Sequence, residues 1–333
     1  MRKLLLPLLL IPSLVNANPC NEQQLKNLRQ PLKTPYYLTC DLSNETVTRK
    51  LIINESDVNL NNNKLTDILI QSKLVNNLFV PVTDVNLTKN VINGQLRISG
   101  HSRNGEDLNN VESSHKLNHT DYSKLVAPKY INIINNVFNS NSIKIYLSPG
   151  VNNITIKNNV IIGNSDGVNI YFDAESSNNN LINNKILASG QRESLAIDGS
   201  ANNIIEGNYF SGIQNGGIFL YRNCGLNGAV RHQTSSNNRI SNNIFYYQYC
   251  SEFSCDPSIW LASRNEGIMK TRGYCDDDKG YFKELKTSST DNNDNVQNNI
   301  IIGNKIRLLD PSLMIRNTEF KLKNNISNNQ RVE

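Results

Sequence analysis

The sequence predicts an all-β protein: a single-stranded right-handed parallel β-helix (a solenoid) with an N-terminal cap and inserted loops. One observation behind this prediction is a motif, an asparagine followed two residues later by a large apolar residue, that recurs at a near-constant interval. The other is a set of short runs between the motifs in which every second residue is apolar. The motif asparagines are Asn136, Asn159, Asn184, Asn208, Asn243 and Asn304.

The first four motifs lie 23, 25 and 24 residues apart, which indicates stacked units that bury their apolar faces only against one another. The runs between them are too short for helices and have the period of two that is typical of strands. Leucine-rich repeats share the interval, but their leucine spacing is absent. The predicted strands are residues 142–147, 167–173, 194–199, 216–222 and 258–263.

The repeated asparagine predicts a structural role. In a β-helix, equivalent positions of successive coils form a column with a spacing of about 4.8 Å. Asparagine side chains at such a position would form a ladder of amides and satisfy turn backbone groups that would otherwise be buried without a partner.

The N-terminal region divides into two predicted segments. Residues 1–17 predict a signal peptide, because a charged start precedes a short apolar stretch and small residues. Residues 18–50 predict a cap over the first coil, since apolar residues recur at helical spacing in 21–32 and an uncovered coil end would expose strand edge.

The predicted β-helix domain spans residues 51–317. Breaks in the repeat predict loop insertions at about 100–127, 223–236 and 264–291. Residues 318–333 are polar and predict a flexible tail.

All six cysteines follow the predicted cleavage site, and an even number in an exported chain suggests disulfides. We expect Cys20 to pair with Cys40, and reduced buried thiols are the alternative. Two further bridges are expected among Cys224, Cys250, Cys255 and Cys275.

The formal net charge is +5, part of it from Arg2 and Lys3 in the predicted signal peptide. This weak balance permits an anionic ligand, while the lack of basic runs argues against nucleic acid. No stretch approaches the roughly 18 consecutive apolar residues of a membrane-spanning helix. We expect an exported monomer, periplasmic or secreted, without a membrane span.

Aligning the inward residues of the strands predicts one outer face that carries the candidate site. The alignment matches Ile143/Ile145 with Val168/Ile170, Leu195/Ile197, Ile218/Leu220 and Ile259/Leu261. Aromatic and charged groups beside inserted loops suit a sugar chain, and a solvated polar face is the alternative. The predicted face contains Lys144, Tyr146, Asn169, Tyr171, Asp173, Asp198, Phe219, Tyr221 and Trp260, with Arg222, Arg231, His232 and Arg264 at the inserted loops.

Two catalytic hypotheses use these residues. In the first, Arg222 and Arg264 neutralise a uronate carboxylate while His232, Lys144 or a tyrosine removes the C5 proton. In the second, Asp173 and Asp198 form a hydrolytic pair, offset by two residues on neighbouring coils and roughly 8 Å apart, within the range of inverting hydrolases. The same face would bind substrate through Lys144, Tyr146, Tyr171, Tyr221 and Arg231.

Metal sites are weaker hypotheses. His115, His119 and Asp121 have a suitable spacing for one helical face, but their segment resembles a loop. The run 276–278 beside Cys275 has the oxygen ligands that calcium prefers, so calcium is the one candidate cofactor and a solvated loop the alternative. His101, Arg103, Glu106 and Asp107 could line the groove from the first inserted loop.

The asparagine turns, the segment "GGIFLYRNC" at 216–224, "RHQ" at 231–233 and "ASRN" at 262–265 resemble the right-handed parallel β-helix proteins of the pectin-lyase-like superfamily, in particular exported bacterial members. The resemblance implies a polysaccharide substrate that binds along the outer groove and is cleaved or epimerised by a lyase, hydrolase or epimerase. The motif sets of polygalacturonases and alginate epimerases are absent. The alternative is therefore a non-catalytic glycan-binding or adhesion module.

Overall fold

The computed structural model describes residues 18–223, 225, 227–247, 255–261, 296–307, 315–317 and 324–332. The chain winds into a parallel β-helix with three long sheets, and each strand pairs in parallel with the strands one coil before and one coil after it. The right-handed sense of the coil is the one that crossover connections between parallel strands adopt. The predicted fold is confirmed.

The strands of the three sheets follow one another around each coil. The first sheet contains Tyr36–Tyr37, Leu51–Ile53, Ile68–Gln71, Leu96–Ser99, Ile145–Leu147, Ile170–Phe172, Leu195–Asp198, Ile218–Tyr221, Ile259–Leu261 and Ile315–Asn317. The second contains Leu42–Ser43, Asn59–Asn61, Asn86–Thr88, Lys129–Ile134, Asn152–Lys157, Asn180–Ile182, Ile204–Glu206, Arg239–Ser241, Ile300–Ile302 and Asn325–Ser327. The third contains Lys64–Leu65, Val91–Ile92, Val137–Asn139, Val160–Ile162, Lys185–Ile186, Tyr209–Ser211, Ile244–Tyr246, Lys305–Arg307 and Gln330–Val332.

Two short pairs lie outside these sheets. Asn164–Ser165 pairs in parallel with Ser189–Gly190. Lys73–Val75 and Leu78–Val80 form an antiparallel hairpin, whose turn residues Asn76 and Asn77 both have positive φ, as a two-residue turn of type I′ requires.

The predicted asparagine ladder is confirmed at the turn between the second and third sheets. Asn184 accepts hydrogen bonds from the backbone N–H and the side-chain amide of Asn159, at 2.8 and 2.9 Å. Its own amide donates to Asn208 and to the Ile156 carbonyl, both at 2.9 Å. The ladder comprises Asn63, Asn90, Asn136, Asn159, Asn184, Asn208, Asn243, Asn304 and Asn329.

A second asparagine ladder lies at the turn between the first and second sheets. It contains Asn179, Asn203, Asn238, Asn299 and Asn324. Residues 324–332, expected as part of a flexible tail, form another coil instead. Asn324 and Asn329 extend both ladders into that coil, and this supplies the hydrogen bonds that order its turns.

Three columns of inward side chains form the core. Each sheet contributes one column. Ile170, Leu181 and Ile186 belong to the columns of the first, second and third sheets, and all three are fully buried. In the third sheet the Phe210 and Phe245 rings stack with their centroids 5.0 Å apart. The core therefore continues from coil to coil, as the period-two pattern predicts.

Helix α1 (Glu22–Leu28) lies at the N-terminal end of the β-helix. Asn21 and Gln24 form a reciprocal capping box that starts it, and the side chain of Leu28 packs on the core. The predicted disulfide between Cys20 and Cys40 is present. Cys255 is also disulfide-bonded, whereas Cys224, Cys250 and Cys275 lie outside the described residues.

The first insertion is helical and not the loop that we expected. It contains α2 (Leu108–Ser114) and α3 (His119–Val126). Asp107 caps α2 by accepting a hydrogen bond from the Asn110 backbone N–H at 3.1 Å. The two helices could not be recognised from the spacing of apolar residues, because some of those residues, such as Leu108 and Leu125, point to solvent. No helix among the described residues is long and apolar enough to cross a membrane.

Candidate functional site on the outer face of the first sheet

The register of the first sheet differs from the one that we predicted. Ile170 lies opposite Leu195, and Phe172 opposite Ile197, so the predicted alignment is wrong by two residues from Leu195 onward. A slip of two residues leaves each side chain on the same face, and the apolar pattern therefore does not distinguish the two registers. Ile143, predicted to point inward, packs outside the core, as does Val168.

Outward side chains in one register position form a column along the first sheet. The rings of Tyr146 and Tyr171 stack with centroids 5.1 Å apart, and the Phe219 ring meets Trp260 edge-on at 5.1 Å. Tyr171 and Trp260 are partly exposed. We call these residues the aromatic column, which consists of Arg97, Tyr146, Tyr171, Ala196, Phe219, Trp260 and Arg316.

Arginines lie at both ends of the aromatic column. The guanidinium carbon of Arg97 lies 3.9 Å from the centre of the Tyr146 ring, and that of Arg316 lies 5.0 Å from the Trp260 ring. Both distances are those of cation–π contacts. The column therefore combines aromatic surface with positive charge at each end.

Asp173 is buried beneath the first insertion. Its carboxylate accepts hydrogen bonds from the Tyr146 hydroxyl at 2.6 Å, the Gly105 backbone N–H at 3.1 Å and its neighbour Ala174 N–H at 2.8 Å. Arg231 is the fourth partner, and its Nη1 lies 3.2 Å from Oδ1 of Asp173. Burial, the Asp173 charge and the hydrogen bond to Asp173 raise the pKa of Tyr146 well above its ordinary value, so this hydroxyl is protonated at neutral pH.

Asp198 has a parallel set of partners one coil later. It accepts hydrogen bonds from the Tyr171 hydroxyl, from the Asn223 backbone N–H and from the Asn223 side-chain amide, the last two at 2.7 Å. Burial raises the pKa of Asp198 and the nearby Asp173 charge adds to the rise, while Arg231 opposes it. Burial also raises the pKa of Tyr171, and the charge of Asp198 is the second cause of that rise.

Arg231 joins the two carboxylates. It lies 3.2 Å from an oxygen of Asp173 and 3.2 Å from an oxygen of Asp198, and its side chain is 6% exposed. The predicted two-residue offset between these acids is wrong, because each follows one member of the Phe172–Ile197 pair. A shared guanidinium and hydrogen-bonded tyrosines do not support a free hydrolytic pair.

Arg222 and His232, two of the predicted lyase residues, lie close to the first insertion. Arg222 is fully buried and donates from Nη1 to the His232 carbonyl at 3.4 Å. His232 bonds through Nε2 to the Ser114 carbonyl at 2.7 Å. The structure therefore brings Arg222 and His232 together beside the first insertion. Arg264 lies outside the described residues.

Lys144 and Tyr221 are buried as well. Lys144 donates to the Asn169 side chain at 2.9 Å and to the Asn164 carbonyl at 3.1 Å, and burial lowers its pKa to about 8. The Tyr221 hydroxyl donates to Glu193 at 2.6 Å. Both were predicted to contact substrate, and neither has a side chain open to solvent.

Three of the chain's four histidines form a cluster where the insertion meets the β-helix. The Ser113 hydroxyl lies 3.0 Å from His101 Nε2 and 3.0 Å from His119 Nδ1, and the His119 and His232 ring centroids are 5.1 Å apart. Burial lowers the pKa of both His101 and His119 to about 4. Both rings are therefore neutral at neutral pH.

The sequence did not point to two residues of this region. Glu175 accepts hydrogen bonds from the His232 and Gln233 backbone N–H groups at 3.0 and 3.1 Å and from Thr120 at 2.5 Å; nothing in the local sequence predicted that it would join two insertions. Arg97 could have been found from the sequence, because it lies between the inward residues Leu96 and Ile98 and therefore points outward.

The described part of the chain contains no group of three or more histidine, cysteine or acidic residues placed to hold a metal ion. His115 ends α2 and His119 begins α3, so they do not lie on one helical face. The acidic run 276–278, our candidate for calcium, lies outside the described residues.

No protein-family model matches the chain, and no curated protein matches it. Solved structures with similar chains include a mutant tailspike protein of E. coli bacteriophage HK620 in complex with a pentasaccharide, with 11% identity and a TM-score of 0.44. The match covers 90% of this chain and 51% of the tailspike, so the chain spans about half the tailspike's length.

Two further solved structures are similar at lower scores. A mutant of the periplasmic alginate epimerase AlgG has 10% identity and a TM-score of 0.32, covering 88% of this chain and 77% of the epimerase. A PL6 alginate lyase in complex with a trisaccharide has 13% identity and a TM-score of 0.27, covering 88% and 70%. The fold of this chain is assigned from its own strand pairing.

Proposed function

We propose that this protein is exported and binds an acidic polysaccharide along the aromatic column of the first sheet. One observation carries the proposal: side chains from successive coils align as two aromatic pairs, separated by Ala196, with an arginine at each end. Sugar rings stack on aromatic faces, and fixed polar groups orient their hydroxyls and carboxylates. The Cys20–Cys40 disulfide is consistent with export to an oxidising compartment.

Burial of the predicted catalytic groups favours binding over catalysis. Asp198 and Arg222 are fully buried, and Arg231 is held between two carboxylates. An enzyme needs such groups within hydrogen-bond reach of its substrate. The aromatic column, in contrast, retains partly exposed surface at Tyr171 and Trp260.

The test is affinity for polysaccharides, measured by calorimetry or affinity electrophoresis with alginate, polygalacturonate and neutral dextran. Trp260→Ala is the informative variant, and Tyr246→Ala is its control. Tyr246 also carries a cation–π contact, with Arg307 at 5.2 Å, but on the third sheet. We expect Trp260→Ala to weaken binding roughly tenfold, as loss of an aromatic anchor does, and the control to bind normally.

Two results would overturn this proposal. One is a parent protein that binds neither acidic polymer, and the other is equal binding by the Trp260→Ala and Tyr246→Ala variants. Thermal unfolding of both variants verifies that each is folded.

A second candidate function is cleavage or epimerisation of the bound chain. It is favoured by Tyr171, whose partly exposed side chain carries a hydroxyl bonded to Asp198. In an elimination, the phenol could pass its proton to Asp198, take up the C5 proton and transfer that proton to the leaving oxygen, so that the protons balance. Parallel assays for unsaturated uronates by ultraviolet absorbance and for new reducing ends test it, with NMR of the recovered polymer for epimerisation. Product from the parent but not from Tyr171→Phe supports catalysis, and no product from the parent excludes it for that polymer.

A further inference from the structure

A cleft with excess positive charge opens at the N-terminal end of the aromatic column. Its volume is about 190 Å³, and it lies where strands of the first sheet begin. This is smaller than the roughly 300–1,000 Å³ of sites that enclose a whole drug-sized ligand, so it suits one sugar residue or its charged substituent. The lining residues are Lys50, Asp67, Ile68, Gln95, Arg97, Arg103 and Ser142.

Arg97 is held in a fixed position at this cleft. Its guanidinium lies on the Tyr146 ring, its Nε donates to the Gln95 side chain at 3.2 Å, and its Nη1 donates to the Arg103 carbonyl at 2.5 Å. Gln95 is itself fixed, because its amide donates to the Ile143 carbonyl at 3.1 Å and its backbone N–H to Asp67 at 2.8 Å. A preorganised arginine loses little entropy when it binds an anion.

The positive groups of the cleft form no ion pair with any residue that the structure describes. Among the residues that the structure describes, Lys50, Arg97 and Arg103 form no salt bridge, and Nη2 of Arg97 makes no hydrogen bond. Asp67 is the one carboxylate among the described residues that line the cleft. Burial lowers the pKa of Arg97 and the Arg103 charge adds to that lowering, while Tyr146 and the Asp173 charge oppose it.

We propose that this cleft is a carboxylate subsite, in which Arg97 and Arg103, with Lys50, bind the carboxylate of a uronic acid residue. The inference rests on the proposed function, since the uronate would belong to the polysaccharide that lies on the aromatic column. Tyr146 connects the two, because its ring is part of the column and supports Arg97. Arginine suits this role because its planar fork matches the two oxygens of a carboxylate.

The experiment compares two forms of the same polymer, polygalacturonate or alginate, with free carboxylates and with the carboxylates converted to methyl esters. We expect the parent protein to bind the acidic form about tenfold more tightly, the size of one charge-assisted hydrogen bond. Arg103→Ala should lose most of that preference and keep its affinity for the ester, and Arg97→Met, which also alters the end of the aromatic column, should lose the preference as well. Arg239→Ala, which removes an exposed arginine of the second sheet, is the control and should keep it.

Each outcome decides a different point. Equal binding of both forms by the parent overturns the carboxylate subsite and leaves the proposed function standing. No binding of either form overturns both proposals. An unchanged preference in Arg103→Ala and Arg97→Met overturns the assignment to this cleft. Thermal unfolding separates lost binding from lost folding, and Arg103→Ala removes an exposed side chain that is not part of the core.

Discussion

Asp173 follows the strand Ile170–Phe172 and Asp198 ends the next strand of the first sheet, and one guanidinium, that of Arg231, lies 3.2 Å from each of them. This arrangement connects an inserted segment to the β-helix through a buried ionic network. It also explains how two adjacent carboxylates are tolerated beneath the insertion, where an unpaired charge would be costly.

Replacement of Arg231 should destabilise the protein strongly. Arg231→Met leaves two buried carboxylates without their cation, and removing one partner of a buried ion pair costs about 3–5 kcal/mol. Urea unfolding at pH 7 measures the loss. Arg239→Ala, at an exposed position, should change the free energy of unfolding by less than about 0.5 kcal/mol. A loss in Arg231→Met no larger than in Arg239→Ala would contradict the network's role.

The histidine cluster should make stability depend on pH. Because burial holds the pKa of His101 and His119 at about 4, below the ordinary value of about 6.5, the unfolded chain binds protons that the native protein does not. Stability from these groups is therefore present above pH 6.5 and is lost as the pH falls towards 4, by as much as roughly 3 kcal/mol per histidine. Asp198 has a raised pKa, so its contribution to stability increases as the pH falls, opposite to that of the histidines.

A variant isolates the histidine contribution. His119→Gln removes a titrating group while it keeps a side chain able to bond to Ser113, so its free energy of unfolding should fall less between pH 7 and pH 4.5 than that of the parent. His115→Gln, at an exposed position outside the cluster, should retain the parent's slope. Equal slopes in parent and His119→Gln would show that His119 titrates normally.

Substitution of a ladder asparagine should destabilise the protein, whereas substitution of the residue before it should not. Asn184→Ala removes the acceptor of the buried Asn159 backbone N–H and the side-chain donor to the Ile156 carbonyl, at about 1–3 kcal/mol for each unsatisfied group. Asn183→Gly should be nearly neutral, because Asn183 is exposed and has a φ of 55° that glycine adopts freely. Thermal unfolding compares them, and equal midpoints would exclude the ladder as a major source of stability.

Removal of the N-terminal disulfide should loosen helix α1. The bridge joins residues 20 positions apart, and a loop of about that size contributes roughly 3 kcal/mol by the loop-entropy estimate. The double variant Cys20→Ser/Cys40→Ser should therefore show faster hydrogen exchange in residues 21–32. The ladder turn near Asn184 serves as the internal control. Unchanged exchange in both regions would mean that α1 is held by packing alone.

The repeat made much of this structure predictable. Motif asparagines such as Asn159 and Asn208 are recognisable because one structural unit recurs, so their ladder and the strands between them follow from the pattern alone. The helical insertion was harder to predict, since part of its apolar surface faces solvent. The aspartate pair was identified by residue but placed in the wrong register.

The sequence by itself predicted the coil, the asparagine ladder between the second and third sheets and the Cys20–Cys40 pairing, because each depends on local spacing that repeats or on near neighbours in the chain. Only the tertiary structure decided the register of the outward side chains and which of them are buried. Registers two residues apart place the same side chains outward, and contacts such as His232 to Ser114, 118 residues apart, bury the charged groups. Such contacts leave no periodic trace in the sequence, so the aspartates and Arg231 could be found there but not their burial.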